Sequence, residues 1–198
     1  MTDKAVENFI RSYNMPEEDL YCCDEVVEWF NKEEGKKGHA GLTLYATGEE
    51  AINNEVKESK DISLNFRSIC HEPPFIKPFN FLWSCVQKYI QEFVEVDGAE
   101  FTIEDFFNVQ KYYPPTGGYK AYHCERISKH TQNRCLVWMM YLNTVEKEGG
   151  TEFKYYNHIE KAEKGKVVLW PTDFTHTHRG LVAPEEEKII MTGWYVFL

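Results

Sequence analysis

Two short runs in the second half of the sequence place histidines and an acid at two-residue spacing. The first is YHCE, with His123 and Glu125, and the second is WPTDFTHTHRG, with His176 and His178. In an extended strand successive side chains point to opposite faces, so each pair would project from one face. Two imidazoles and one carboxylate that leave open positions form the facial triad of non-haem Fe(II) sites. These residue types and spacings indicate a metal site, with either His176 or His178 as its distal ligand.

A second His-x-Glu pair, His158 and Glu160, offers the same donor atoms. A distal ligand on another strand of a barrel requires room for the strands between, at about 5 to 6 residues each plus turns. One strand fits between His158 and the THTH run, whereas about four fit between His123 and His178. We therefore expect His123 and Glu125 to be the ligand pair, and His158 with Glu160 to be a solvated pair at a sheet edge.

The segments that would position these residues differ in their apolar period. Apolar residues have helical spacing in residues 16–34, which begin with Pro16 and precede Gly35, and in residues 79–95. We therefore predict two amphipathic helices. From Tyr119 onward the pattern is short and strand-like, in the runs GYKAYHCE, RCLVWMMYLN, GTEFKYY, KVVLWP, FTHTH and KIIMTGWYVF. Helices followed by many short strands indicate an α+β fold whose second half is a sandwich or barrel.

Length, charge and cysteine usage limit the class of protein. The 198 residues are enough for a real core, and one domain is the default expectation. A net charge of −10 gives no electrostatic reason to bind phosphate backbones, which disfavours a nucleic-acid partner. No run reaches the roughly 20 apolar residues of a membrane span, and the first residues lack the apolar stretch of a signal peptide. The six cysteines lack Cys-x-x-Cys spacing, so we expect reduced thiols in a cytoplasmic protein.

From about Tyr112 to Phe197 the sequence resembles the 2-oxoglutarate- and Fe(II)-dependent dioxygenases, specifically their prolyl 4-hydroxylase-like branch. The matching pieces, in order, are YYPPTGGYKAYHCE, YLN followed by EGGTEF, FTHTHRG and KIIMTGWYVF. The resemblance implies a double-stranded β-helix, or jelly roll, over about residues 111–198. Residues of about 1–110 would then form a helical support region, and 1–198 a single domain.

The resemblance implies that His123, Glu125 and one distal histidine hold Fe(II). His178 is favoured over His176 because Lys188 then follows the ligand by ten residues, as in relatives with a similar HRG segment. The acid is Glu125 where Asp is usual in the family, so the longer side chain must fold back to reach the metal.

The resemblance also implies a pocket for the cosubstrate 2-oxoglutarate. Lys188 and Tyr141 would hold its far carboxylate, Tyr113 would lie in the same pocket, and Trp194 would line its wall. Many relatives have Arg in place of Lys188, so a point charge here replaces a bidentate fork. Independently of the resemblance, Lys188 lies in an otherwise apolar strand. A charge there needs an anionic partner, unless the lysine reaches solvent from an edge strand.

The implied reaction is hydroxylation of a C–H bond with O2, in which 2-oxoglutarate yields succinate and CO2, with ascorbate as an optional stimulant. The expected substrate is a prolyl residue of a protein or peptide, and no membrane partner is expected. Two alternatives stay open: the same chemistry on a free amino acid, small metabolite or nucleobase, and a non-catalytic metal-binding jelly roll. Residues 57–66 are expected to form a surface turn leading into a strand, with a substrate-lining strand as the alternative.

Overall fold

The computed structural model describes residues 8–198, so the first seven residues of the predicted domain lie outside the described residues. The helices are α1 (Tyr21–Lys37), α2 (Phe66–Ile69) and α3 (Ile76–Glu92). The strands are β1 (Arg11–Asn14), β2 (His39–Ala40), β3 (Thr43–Leu44), β4 (Glu50–Ala51), β5 (Lys57–Glu58), β6 (Lys60–Asn65), β7 (Phe101–Ile103), β8 (Phe106–Tyr112), β9 (Gly118–Tyr119), β10 (Arg134–Tyr141), β11 (Thr151–Phe153), β12 (His158–Glu160), β13 (Lys166–Pro171), β14 (His178–Gly180) and β15 (Lys188–Phe197).

Two antiparallel sheets form the body of the described chain. Within residues 8–198, the large sheet has eight strands in the order β1–β13–β10–β15–β8–β6–β2, and β7 pairs with β15 next to β8. The small sheet has the order β12–β11–β14, while β3 pairs with β4 and β5 with β9. Because strands from both halves of the sequence pair in one large sheet, the topology supports the proposal that the chain forms one domain.

The central strands of the large sheet are apolar on both faces because both faces are covered. In β10, Trp138 and Met140 pack in one core with the helices α1 and α3. Met139 and Tyr141, which alternate with them, pack in a second core with Phe153 of the small sheet. Strands buried on both sides are typically continuous apolar runs, as RCLVWMMYLN is. The second core is the layer in which the site lies.

The two predicted helices are confirmed in type, with shifted ends. α1 begins at Tyr21, after a 3-10 turn, and continues through Gly35. It ends at Lys37 because Gly38 has an extended backbone conformation. Gly35 weakens a helix by about 1 kcal/mol relative to alanine, which the buried face upstream offsets. α3 begins at Ile76, before the predicted start at residue 79. Pro78 does not prevent this, because proline is tolerated in the first turn of a helix. No helix among the described residues has both the length and the apolar character that crossing a membrane requires.

The first half contributes strands as well as the helical support that the sequence predicted for about residues 1–110. The strands β6 and β8 lie inside the large sheet, paired with each other along six residues of β6. Residues 57–66 are therefore a strand region and not a surface turn, as the alternative interpretation had it. The charges misled that prediction because Lys57 and Asp61 are buried and neutralise each other.

The run FTHTH is not one strand, contrary to the prediction. Phe174–His176 form a 3-10 turn, and β14 begins at His178. The N–H of His176 donates to the carbonyl of Asp173, and that of Thr177 donates to the carbonyl of Phe174, which closes the turn. The two histidines consequently do not share a strand face, and the backbone itself distinguishes their roles.

Candidate metal and cosubstrate site

His123, Glu125 and His178 come together where the YHCE segment meets β14. The segment forms an isolated antiparallel bridge in which His123 and His178 exchange two backbone hydrogen bonds of 2.9 Å. The N–H of Glu125 donates to the carbonyl oxygen of Thr172 at 3.1 Å, which anchors the far end of the segment. One donor atom from each of the three side chains lies within 4.8 Å of the other two. The structure thus brings together the predicted triad.

The donor atoms of the triad are oriented by hydrogen bonds behind them. The Nδ1–H of His123 donates to the carbonyl of Ala121 at 3.1 Å, and that of His178 donates to the carbonyl of His176 at 2.8 Å. Both Nε2 atoms then face Glu125 Oε1, at 3.3 Å from His123 and 3.5 Å from His178. A histidine that donates one ring N–H to a carbonyl offers the other nitrogen's lone pair to a metal.

The pKa shifts of His123 and Glu125 favour metal binding. Burial lowers the pKa of His123, and the neighbouring His178 lowers it further, which favours the neutral ring. Burial by itself would raise the pKa of Glu125. Hydrogen bonds and charges from the two imidazoles outweigh this and hold the pKa of Glu125 well below its usual range. Metal ligands must be neutral imidazole and ionised carboxylate, and the directions of the His123 and Glu125 shifts favour these forms.

The second oxygen of Glu125 is held by an indole and a guanidinium. Trp194 Nε1 donates to Glu125 Oε2 at 3.0 Å. The guanidinium of Arg134 lies 3.5 Å from the centre of the Trp194 ring and 3.8 Å from the same carboxylate, and is fixed by Glu104 at 2.9 Å. These contacts fold the longer glutamate back towards the imidazoles. Trp194 lines the cavity as predicted, but at its metal end.

A cavity of about 560 Å³ joins the triad to Lys188, between the two sheets. Lys188 is 2% exposed, and its Nζ donates to the carbonyl of Leu181 at 2.9 Å. Burial lowers the pKa of Lys188 to about 7, with no carboxylate among residues 8–198 to oppose the shift. A buried cation without an anion is costly, so a ligand carboxylate fits this end of the cavity.

Tyr141 also lines the cavity, where the resemblance implied a cosubstrate residue. It is fully buried, and its hydroxyl shares a 2.7 Å hydrogen bond with Thr151 Oγ1. Burial raises the pKa of Tyr141, so its hydroxyl keeps its proton and can donate a hydrogen bond to an anion. Both residues line the cavity.

The structure does not bring Tyr113 to the cavity, so that prediction requires correction. Tyr113 is 39% exposed, and its hydroxyl donates to Glu34 of α1. Tyr112 lines the cavity instead and is buried. β8 ends at Tyr112, so alternation turns this side chain inward while Tyr113 lies beyond the strand. Two adjacent tyrosines offer no sequence signal that selects one of them until the end of the strand is known.

Tyr113→Phe is expected to leave the affinity for 2-oxoglutarate within about twofold of wild type, because the lost hydrogen bond lies on the surface. The measurement is calorimetric titration of Mn(II)-loaded protein with 2-oxoglutarate in the absence of oxygen. A large loss of 2-oxoglutarate affinity in this variant would indicate that Tyr113 does belong to the cosubstrate pocket.

The His158–Glu160 pair lies away from the triad. It forms β12, at the edge of the small sheet, with His158 Nε2 at 2.8 Å from Glu160 Oε1. The expected edge position is confirmed. Glu160 is nevertheless buried and lies 3.6 Å from Lys166 Nζ, so the pair is only partly solvated.

Residues 107–196 match the family model of the 2OG-Fe(II) oxygenase superfamily. Similar solved structures include a prolyl-4-hydroxylase of Pseudomonas putida, with a TM-score of 0.68 and 11% identity over 96% of this chain and 94% of that one. Another is a Trichoplax adhaerens prolyl hydroxylase in complex with a hypoxia inducible factor oxygen degradation domain peptide fragment, with a TM-score of 0.72 and 17% identity over 96% and 84%. A third is the viral collagen prolyl hydroxylase of Paramecium Bursaria Chlorella virus-1 in complex with 2OG, with a TM-score of 0.61 and 17% identity over 96% and 97%. No curated protein matches the chain by sequence.

These similarities show the fold and the family that the second half of the chain resembles. At such low identities the structural matches show the fold, and they confirm the predicted α+β double-stranded β-helix. The family match places a 2-oxoglutarate- and Fe(II)-dependent oxygenase domain over the residues that carry the triad. Residues 107–196 are thus similar to the 2OG-Fe(II) oxygenase superfamily, whose cofactors are Fe(II), 2-oxoglutarate and O2, and the prolyl hydroxylases named above share the fold of this chain. The open triad and the buried Lys188 fit the metal and the cosubstrate.

Proposed function

We propose that this chain hydroxylates a prolyl residue in a protein or peptide and releases succinate and CO2. The observation that carries the proposal is the mouth of the cavity, which is lined by exposed apolar side chains. Leu42 and Ile52 flank the hairpin formed by β3 and β4, Phe106 begins β8, and Ile127 follows the YHCE segment. Such a mouth suits an extended chain with apolar flanks better than a small polar metabolite. The peptide complex of the Trichoplax relative supports the same substrate class.

For the metal, we assign His123, Glu125 and His178 as the ligands of Fe(II). Three ligands leave the remaining positions to 2-oxoglutarate and O2. Trp194 and Arg134 keep the carboxylate in its ligating orientation, as residues behind metal ligands commonly do. When bound, the metal with its cosubstrate and O2 supplies the oxidising power for C–H hydroxylation, while the protein supplies orientation and excludes water.

For the cosubstrate, we assign Lys188 and Tyr141 to the far carboxylate of 2-oxoglutarate. The ammonium supplies the opposite charge, and the tyrosine hydroxyl supplies a hydrogen bond. Tyr112 takes the place in this pocket that the sequence suggested for Tyr113. We also propose a cytoplasmic location, which the six unpaired cysteines support.

Succinate release in the presence of Fe(II) and 2-oxoglutarate tests the proposal. A peptide panel would contain proline-rich, Ala-Pro and ribosomal sequences, with free proline, other amino acids and nucleobases as separate arms. We expect prolyl peptides to stimulate succinate release and to gain one oxygen atom by mass spectrometry. Stimulation only by a small molecule would indicate the metabolite alternative. No succinate under any condition would indicate a non-catalytic metal-binding protein.

A further inference from the structure

We propose that a buried relay, from the Lys57–Asp61 ion pair through Gln110, positions Tyr112 beside Lys188 and thereby sets the affinity for the 2-oxo acid. The inference rests on the proposed role of Lys188. It extends the cosubstrate site to Gln110 and to the Lys57–Asp61 pair, which line the same cavity.

The ion pair at the start of the relay is fully enclosed. Lys57 Nζ donates to Asp61 Oδ2 at 2.6 Å, and the two side chains are 5% and 3% exposed. Ser59 Oγ donates to the other carboxylate oxygen at 2.7 Å. A buried ion pair commonly contributes little net stability, because desolvation offsets the attraction. Its consequence here is geometric, since it fixes an ionised carboxylate at one place in the sheet.

Gln110 transmits the orientation of this carboxylate to Tyr112. Gln110 lies directly opposite Asp61 in the pairing of β8 with β6. Its Nε2 donates to Asp61 Oδ2 at 3.0 Å, and its Oε1 accepts from the Tyr112 hydroxyl at 2.7 Å. An ionised carboxylate can only accept hydrogen bonds, so the amide must turn its NH2 to Asp61 and its carbonyl to Tyr112. The Tyr112 hydroxyl therefore donates its hydrogen bond to Gln110.

Tyr112 in turn supports the cation of the cosubstrate pocket. Tyr112 and Lys188 are directly opposite each other in the pairing of β8 with β15, and both are buried. Lys188 Nζ lies 4.8 Å from the centre of the Tyr112 ring. A ring face attracts an ammonium more strongly when both are removed from water. With its hydroxyl tied to Gln110, the ring cannot swing, so the ammonium keeps a fixed place at the end of the cavity.

Gln110→Leu removes both hydrogen bonds of the relay at nearly constant volume. We expect the affinity for 2-oxoglutarate to fall about fivefold, the effect of losing one ordinary hydrogen bond. The affinity for Mn(II) should stay unchanged. The affinity for oxalate should also stay unchanged, because oxalate chelates the metal but lacks the chain that reaches Lys188. The measurement is calorimetric titration of the Mn(II)-loaded protein in the absence of oxygen.

The same two strands offer a matched control. Asn108 lines the same cavity, lies opposite Ser63 in the same pairing and accepts a hydrogen bond of 2.7 Å from it, whereas no hydrogen bond joins it to Tyr112 among the described residues. Asn108→Leu should therefore leave the 2-oxoglutarate affinity at the wild-type value. Tyr112→Phe should reproduce the loss seen in Gln110→Leu. Adding Gln110→Leu to Tyr112→Phe should cause no further loss, because both act on one interaction.

Equal 2-oxoglutarate affinities for wild type and Gln110→Leu, or equal losses for 2-oxoglutarate and oxalate, would overturn the relay. If Gln110→Leu does not fold, Tyr112→Phe carries the test, and an unchanged affinity in that variant overturns the inference. Failure of the wild-type protein to bind 2-oxoglutarate is a different result, because it removes the proposed function and the relay together.

Discussion

Lys188→Met should weaken 2-oxoglutarate binding by about 2 to 5 kcal/mol, the range for losing one partner of a buried charge pair. The side chain is 2% exposed and has no carboxylate partner among the described residues, so a ligand anion supplies its missing charge. Methionine keeps the length of the stem and removes the charge. Mn(II) should still bind, because the triad lies at the other end of the cavity. Titration of the Mn(II)-loaded variant with 2-oxoglutarate provides the measurement.

Lys111→Met is the matched control for this variant. Lys111 is also a buried lysine next to Tyr112, but its Nζ pairs with Glu187 at 3.0 Å, and it is not among the residues that line the cavity. Its substitution should leave the 2-oxoglutarate affinity unchanged. If Lys188→Met bound 2-oxoglutarate as wild type does, the cation of the cosubstrate pocket would have to be another residue.

Lys188→Met should also stabilise the protein when no cosubstrate is bound. The pKa of Lys188 is about 7 in the folded state, below its usual value of 10.5, so the unfolded state binds more protons between these pH values. The buried charge of Lys188 destabilises the folded state fully below a pH of about 7, and this destabilisation disappears as the pH rises towards about 10.5. Wild type should therefore gain stability relative to Lys188→Met across this window. Urea unfolding of both proteins, at pH of about 7 and about 9, measures the difference.

His178→Ala should reduce Fe(II)-dependent succinate formation to background, whereas His176→Ala should retain a measurable fraction. His178 Nε2 faces Glu125 Oε1 at 3.5 Å. His176 instead bonds through Nε2 to the carbonyl of Asn8 at 2.8 Å and through Nδ1 to Thr175 Oγ1 at 3.0 Å. Two ligands without the third hold Fe(II) poorly, since the facial triad needs all three donors. Mn(II) titration separates loss of the metal from loss of turnover.

Circular dichroism of both histidine variants supplies the control for folding. His176 links a turn to the start of the described chain, so its loss should lower stability more than it lowers metal affinity. A metal-bound structure with the His176 nitrogen at coordination distance and His178 turned away would overturn the assignment.

The residues with a distinct local pattern were predictable from the sequence. The resemblance placed Lys188 and Trp194 in one pocket, and both line the cavity from β15. His123 and Glu125 were separated from the His158 pair by counting the strands that must fit between. In each case a motif or a spacing along the sequence was enough to make the prediction.

The features that failed depend on partners distant in the sequence. The charges of Lys57 and Asp61 suggested solvent because a sequence does not show that two charges are buried against each other. His176 was assigned to a strand because the hydrogen bonds of a 3-10 turn leave no periodic pattern. Tyr112 and Tyr113 were confused because only the end of β8 determines which ring turns inward.

β15 lies in the middle of the large sheet, so the part of the site on this strand opens later than the part at the mouth of the cavity. β15 pairs with β10 along one side and with β8 and β7 along the other, so its amides are protected until the sheet separates. The hairpin of β3 and β4 at the mouth pairs over two residues only. Local opening of such a short element requires much less free energy than global unfolding. The hairpin can therefore open locally while the strand that carries Lys188 stays paired on both sides.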